Sequence, residues 1–191
     1  MVDKGSKGGK EEVVTREYTI KLHKRLHKED RVSDATCGNG YDTLAMVKRV
    51  ADESARGCVY AIDIRNDALE NTFSLLEDSL NPHSKYVQIE PVKKLLSRCL
   101  SKMGKVVPEA SVRLVAFNLG YLLADDKKII TKPDITLLAR EAAKGILMSG
   151  GLISLVVYVG HPVNSWICCK FQLLNPPWAP ILVCLLRRWC H

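Results

Sequence analysis

Residues 31–43, RVSDATCGNGYDT, constrain this chain more than any other stretch. Residues 32–35 read as a short buried strand, 37–41 as a tight turn, and Asp42 onward as the first turn of a helix. Gly38 and Gly40 can adopt positive φ and let a ligand approach the backbone closely. A helix starting near Asp42 aims its free N–H groups at whatever fills the turn. Asp34, at the strand's end, adds a negative charge beside that turn. The stretch predicts a nucleotide-type cradle with a carboxylate suited to a cationic ligand.

Two ligand classes suit a strand, a glycine turn and a helix: dinucleotides and S-adenosylmethionine. The dinucleotide fingerprint puts a third glycine or alanine where helix meets strand. Here that position is Thr43. It also keeps acids away from the pyrophosphate, whereas Asp34 and Asp42 flank this loop. A sulfonium carrying an amino acid tolerates both, so the loop favours S-adenosylmethionine. An ordinary strand-to-helix turn without a ligand has the same spacing and stays open at this point.

The remaining pattern alternates strand and helix, which is the signature of an α/β fold with a mostly parallel sheet and helices on both faces. A helix over 42–51 is followed by a strand over 59–64 (VYAIDI), whose Asp63 lies 23 residues past Gly40. An acid about 20 residues beyond such a loop can accept from both ribose hydroxyls of an adenosine. A helix over 68–80 starts at Asn66 or Asp67, carries a stripe of Leu69, Phe73, Leu76 and Leu80, and stops at Asn81-Pro82. The third strand falls over 86–89 or, preferably, 92–99. Residues 111–117 (SVRLVAF) form a buried strand followed by Asn118-Leu119-Gly120-Tyr121. There an amide can hold an amine by its carbonyl while a ring stacks on a base; a plain strand-ending loop fits as well. A helix over 131–144 starts around Pro133. A break at 145–151 and strands over 152–159, 166–173 and 181–186 complete the pattern.

Length and charge narrow the function classes. A chain of 191 residues is most simply one domain, residues 29–191, behind a basic tail and helix over 1–28. In that helix, expected over 11–28, Val14, Tyr18, Leu22 and Leu26 form the apolar stripe. His23 and His27 lie among Lys21, Lys24, Arg25 and Lys28 without a third ligand, so a basic face is expected there and not a metal site. The net charge of +7 points to a polyanionic partner, most commonly nucleic acid. Seven cysteines without a CxxC pair read as reduced intracellular thiols. No apolar run reaches 18 residues, so a soluble chain with no membrane partner is expected.

DATCGNGYDT, the Asp-Ile ending of the second strand, FNLGYL and GGLISLVVYVGHP closely resemble a small rRNA methylase family. Its members have been assigned as tRNA methyltransferases acting on 5-aminomethyl-2-thiouridine at the wobble position. The resemblance runs from about Lys28 to Arg188, and the wording around FNLGYL and SWICCKFQLLN is closest to plant members. It implies a Rossmann-like class I methyltransferase fold, with S-adenosylmethionine held by Asn39, Asp42 and Asp63 within the Asp34, Gly38, Gly40 and Thr43 cradle. Asn118 then lies near both cofactor and methyl acceptor, with Tyr121 as stacking platform and His161 as proton acceptor. Arg65 and Ser101 fall at the cofactor rim. The implied reaction is in-line methyl displacement from sulfur to an exocyclic amine of a tRNA substrate. Plant-like wording makes an organelle the expected compartment, although no presequence is legible, and a homodimer is compatible with the pattern.

Several positions depart from the family. Leu123-Ala124-Asp125 stands where Pro-Gly-Gly is usual, Arg65 replaces a common glutamine, and Leu100-Ser101 replaces a His-Ser pair. After His161-Pro162 the chain runs straight into Val163 to Trp166, without the family's intervening helix. A parallel crossover needs about a dozen residues. The sixth strand is therefore expected to turn back antiparallel, or the sheet end to be altered, as in a shortened isoform. A silent RNA-binding isoform and a small-molecule methyltransferase are the rival readings.

Overall fold

The computed structural model describes residues 25–51, 56–80, 94–97, 100–119, 133–159 and 181–187. The elements run β1 (Arg31–Asp34), α1 (Tyr41–Val50), β2 (Cys58–Asp63), α2 (Asn66–Ser79), β3 (Lys94–Ser97), a 3-10 helix (Leu100–Lys105), β4 (Val112–Leu119), α3 (Pro133–Ile146), β5 (Leu147–Val159) and β6 (Ile181–Arg187). The sheet order is β3-β2-β1-β4-β5-β6, and every pairing is parallel. Strands covered on both faces need no polar alternation. Accordingly β2, CVYAID, is buried along its whole length except the final Asp63.

Successive strand residues point to opposite faces, which divides the core in two. Val32, Val59 and Leu114 pack with Met46, Val47 and Leu76 on the face covered by α1 and α2. Val115, Phe117 and Ile153 pack with Ala139, Ala143 and Ile146 of α3 on the other face. Phe117 is fully buried, and truncating such a side chain to Ala costs about 3–5 kcal/mol. Strand order reverses between β1 and β4, so the carboxyl ends of these two strands open the crevice where α/β sheets bind ligands.

Several expectations shift. On α2 the buried positions are Ala68, Leu69, Thr72 and Leu76, and Phe73 is 44% exposed. Thr72 takes the inward place because it packs against the glycine loop. The break expected over 145–151 is absent. Gly145 is the penultimate residue of α3, and β5 begins at Leu147, absorbing the glycines in a register shift opposite Val112/Leu114. β3 falls within the preferred range 92–99, while residues 86–89 lie outside the described residues.

The strand expected over 166–173 also lies outside them. The one expected over 181–186 is the edge strand β6, parallel to β5. Residues 160–180 connect the two and exceed the dozen or so that a parallel crossover requires. The antiparallel return expected for the strand over 166–173 thus lies outside the described residues, and the next strand, β6, runs parallel to β5.

Residues 25–28 form a turn and not the end of a helix, with His27 N donating to Asp30 Oδ2 at 2.8 Å. Leu26 is buried in the core beside Val32 and Leu114. Among the described residues no helix is long and apolar enough to cross a membrane.

Candidate functional site

The loop after β1 is tied to both neighbouring strands. Ala35 N donates to Ala116 O at 2.8 Å and Cys37 N donates to Ile62 O at 3.1 Å. Gly38 and Gly40 take φ of 52° and 84°, the left-handed region where glycine has no Cβ penalty. A Cβ on Gly40 would lie 2.8 Å from Thr72 Cα, so the loop rests directly on the α2 backbone. Thr72 Oγ1 donates to Gly38 O at 3.0 Å, and Asn71 Nδ2 donates to Asn39 Oδ1 at 3.2 Å. No side chain caps α1 at Gly40, which leaves the first-turn N–H groups facing the loop.

Three acids surround this cradle. Asp34 is buried and accepts from Thr43 Oγ1 at 2.6 Å and Thr36 N at 3.2 Å. Burial, and then the charge of Asp42, push its carboxyl up to about 7. A cation in the crevice would favour its charged form. Asp63, at the end of β2, accepts from Gly38 N at 3.2 Å and Arg65 N at 3.1 Å. A carboxylate has about four acceptor positions, so capacity for ribose hydroxyls remains. The Arg65 guanidinium engages Asp67 and holds that carboxyl below its ordinary range, so its charge is balanced at the rim. Burial, followed by the nearby Asp34, pushes the Cys37 thiol up to about 12, which keeps it protonated and unreactive. Tyr41 and Ile64, next to the loop and to Asp63, are 71% and 61% exposed.

Asn118, near the end of β4, forms the opposite wall. Its backbone N donates to Thr36 Oγ1 at 2.7 Å and its Nδ2 donates to Asp42 Oδ2 at 3.3 Å. Its Oδ1 is buried and meets no donor among the described residues. Buried acceptors are almost always paired, so an unpaired one in a crevice marks a place for a ligand N–H or O–H.

The fold thus gathers Asp34, Gly38, Asn39, Gly40, Asp42, Thr43, Asp63 and Asn118 at one crevice. Ser101 lies in the 3-10 helix after β3, its side chain outside the described residues. Tyr121 and His161 lie outside them altogether. The sequence reading missed Thr36 and Thr72. Thr36 sits inside the DAT motif without any periodic signal of its own, and Thr72 was masked by the apolar Phe73 beside it. Among the described residues no cluster of His, Cys, Asp and Glu could hold a metal ion.

Residues 59–185 match the family described as "Putative rRNA methylase". The chain belongs to that rRNA methylase family. It is 51% identical over 184 aligned residues to the Arabidopsis thaliana protein named tRNA (mnm(5)s(2)U34)-methyltransferase, chloroplastic. That alignment takes in 85% of this chain and 65% of the relative, so the chain spans just under two thirds of the relative's length. Among solved structures, a "putative rRNA-methylase" from Clostridium thermocellum superposes with a TM-score of 0.73 at 28% identity, covering 93% of this chain and 86% of that one. A Streptococcus mutans methyltransferase in complex with SAH gives 0.67 at 27%, covering 85% and 82%. The family's class I methyltransferase fold is therefore the fold of this chain. A stretch of 27 residues, 14% of the chain, is 82% identical to large ribosomal subunit protein eL31 of Perilla frutescens and covers 22% of it.

Proposed function

We propose that this rRNA methylase family member is an S-adenosylmethionine-dependent methyltransferase acting on the exocyclic amine of 5-aminomethyl(-2-thio)uridine at the tRNA wobble position. The observation that carries the reading is the buried, unpaired Asn118 Oδ1 at the mouth of an acid-lined glycine cradle. The name of the Arabidopsis relative supports the substrate and, in the same way, a chloroplast location. The cofactor supplies an electrophilic methyl group on a sulfonium, and the donor set suits it. Asp63 offers acceptors to a ribose, Gly38 and Gly40 leave the loop open, and Asp34 and Asp42 place negative charge near a cation.

The residues of the chain then act by alignment. Asn118 Oδ1 accepts an N–H of the neutral amine, which turns the nitrogen lone pair toward the methyl group. A bound cofactor would supply its methyl group to that lone pair and keep the C–S electron pair on sulfur. The methylated ammonium then loses its proton, with His161 as the candidate acceptor and Tyr121 as the candidate platform for the base.

An RNA partner is supported by charge as well as by relatives. Residues 1–28 hold eight Lys or Arg against four Asp or Glu, more than half of the net +7. A stretch of 27 residues of the chain is 82% identical to a ribosomal protein, eL31. A basic segment such as residues 1–28 suits contact with the phosphate backbone of RNA.

Calorimetric titration with S-adenosylhomocysteine, followed by methylation of tRNA bearing 5-aminomethyl-uridine, tests the reading. Micromolar binding with methyl transfer to that nucleoside is expected. Tight tRNA binding by a folded chain that ignores S-adenosylhomocysteine would select the silent RNA-binding isoform instead. Transfer only to small amines would select a small-molecule enzyme.

A further inference from the structure

Asn118 is held at two points: its backbone by Thr36 and its side chain by Asp42. The anchors belong to one polar ring, because Thr36 N and Thr43 Oγ1 both donate to Asp34. The ring joins the ends of β1 and β4 to the first turn of α1. A primary amide has two orientations related by a half-turn, and its surroundings choose between them. The reverse orientation would press the Asn118 carbonyl oxygen against the Asp42 carboxylate, two acceptors in part-buried space with no proton between them. Only a group confined to accepting can enforce this choice. An amide or hydroxyl at position 42 both donates and accepts, and would tolerate either orientation.

We infer that Asp42 is a positioning residue: by accepting from Asn118 Nδ2 it keeps the Asn118 carbonyl facing the crevice, where it receives the amine substrate. This rests on the methyltransferase reading above and gives Asp42 a duty toward the methyl acceptor, where the family resemblance placed it on the cofactor. The direction of the bond carries the inference. Asp42 takes up one N–H of the Asn118 amide and leaves its oxygen, the acceptor that an amine N–H can use.

The test compares Asp42→Asn, Asn118→Ala and the double variant in the full chain. Three readouts are taken: the 15N side-chain amide resonances of Asn118 (identified by their loss in Asn118→Ala), S-adenosylhomocysteine affinity, and methyl transfer. In Asp42→Asn we expect the Asn118 amide pair to shift or split. We also expect kcat to fall by about ten- to a hundredfold, a larger loss than that in S-adenosylhomocysteine affinity. In the Asn118→Ala background the same substitution is expected to cost nothing further, since the two residues act as one unit. Losses that multiply in the double variant would overturn the inference. So would unmoved Asn118 resonances, or a kcat that stays at the wild-type value while cofactor affinity collapses. Should the wild-type chain transfer no methyl group, the functional reading falls, while the amide resonances still decide whether Asp42 sets the orientation.

Discussion

The two walls of the crevice are made from similar short polar side chains and differ in what they leave unmade. On the β1–β2 wall, Asp34 and Asp63 each accept from a backbone N–H of the loop, and Thr43 and Thr72 donate into the same network. That wall is organised by the chain itself before any ligand arrives, and its acids keep spare lone pairs. On the β4 wall the backbone N and the Nδ2 of Asn118 each donate one hydrogen bond, and its buried Oδ1 is unmatched among the described residues. A buried polar atom without a partner costs about 1–3 kcal/mol. That cost is recovered when a donor enters, and under the proposed function the first wall serves cofactor affinity and the second substrate alignment.

The strongest way to break this division is Asp63→Ala. It removes the proposed ribose acceptor and the partner of Gly38 N together, and S-adenosylhomocysteine binding should weaken at least about a hundredfold, a loss of about 2.7 kcal/mol. Unchanged affinity by calorimetry would take Asp63 out of the site. Asn118→Ala addresses the other wall: turnover should drop by about a hundredfold with cofactor affinity nearly unchanged. Equal losses in both would erase the distinction between the walls.

Gly40→Ala tests whether the first wall is prebuilt. The new Cβ meets Thr72 Cα at 2.8 Å with φ at 84°, so stability should fall by about 2 kcal/mol or more. Because the obstacle is backbone, shrinking Thr72 to Ser should not restore the melting temperature.

Asp34 sharpens the comparison through pH. Its carboxyl holds a proton up to about pH 7 in the folded chain, whereas the unfolded chain releases it near the ordinary 3.8. The folded state therefore binds more protons between these values. The contribution of Asp34 to stability is largest below about pH 4, falls as pH rises, and levels off above about 7. Asp34→Asn should flatten that slope in thermal melts. In the wild type, affinity for cationic S-adenosylmethionine should rise with pH toward 7, because binding favours the charged carboxylate.

The smallest effect belongs to the tail. Removing residues 1–24 leaves Leu26 in the core, and should weaken tRNA binding several-fold with a shallower salt dependence. S-adenosylhomocysteine affinity should not move.

Most of the first wall was legible along the chain. Gly38, Gly40 and Asp63 follow local rules, the need for positive φ and the position of an acid at a strand end, and both can be read from neighbours in sequence. Phe73 shows where such reading stops. Its spacing from Leu69 suits a buried stripe, yet Thr72 lies inward because a small side chain is needed beneath Gly40. The glycines at 150 and 151 likewise read as a break, but strand pairing with β4 carries them through as a bulge. The parallel direction of the last strand is fixed by its pairing with β5 and by no local pattern of its own residues.

By itself the sequence determined the α/β alternation, the cradle and the acid that ends β2, because these depend on periodicity and backbone freedom over a few residues. Only the tertiary structure decided that Asp42 meets Asn118, 76 residues away, and that Thr36 meets the same residue's backbone across 82. Those contacts exist because β4 is placed beside β1, where the strand order reverses. A hydrogen bond's direction depends on which atoms face each other there, and no spacing along the chain encodes it.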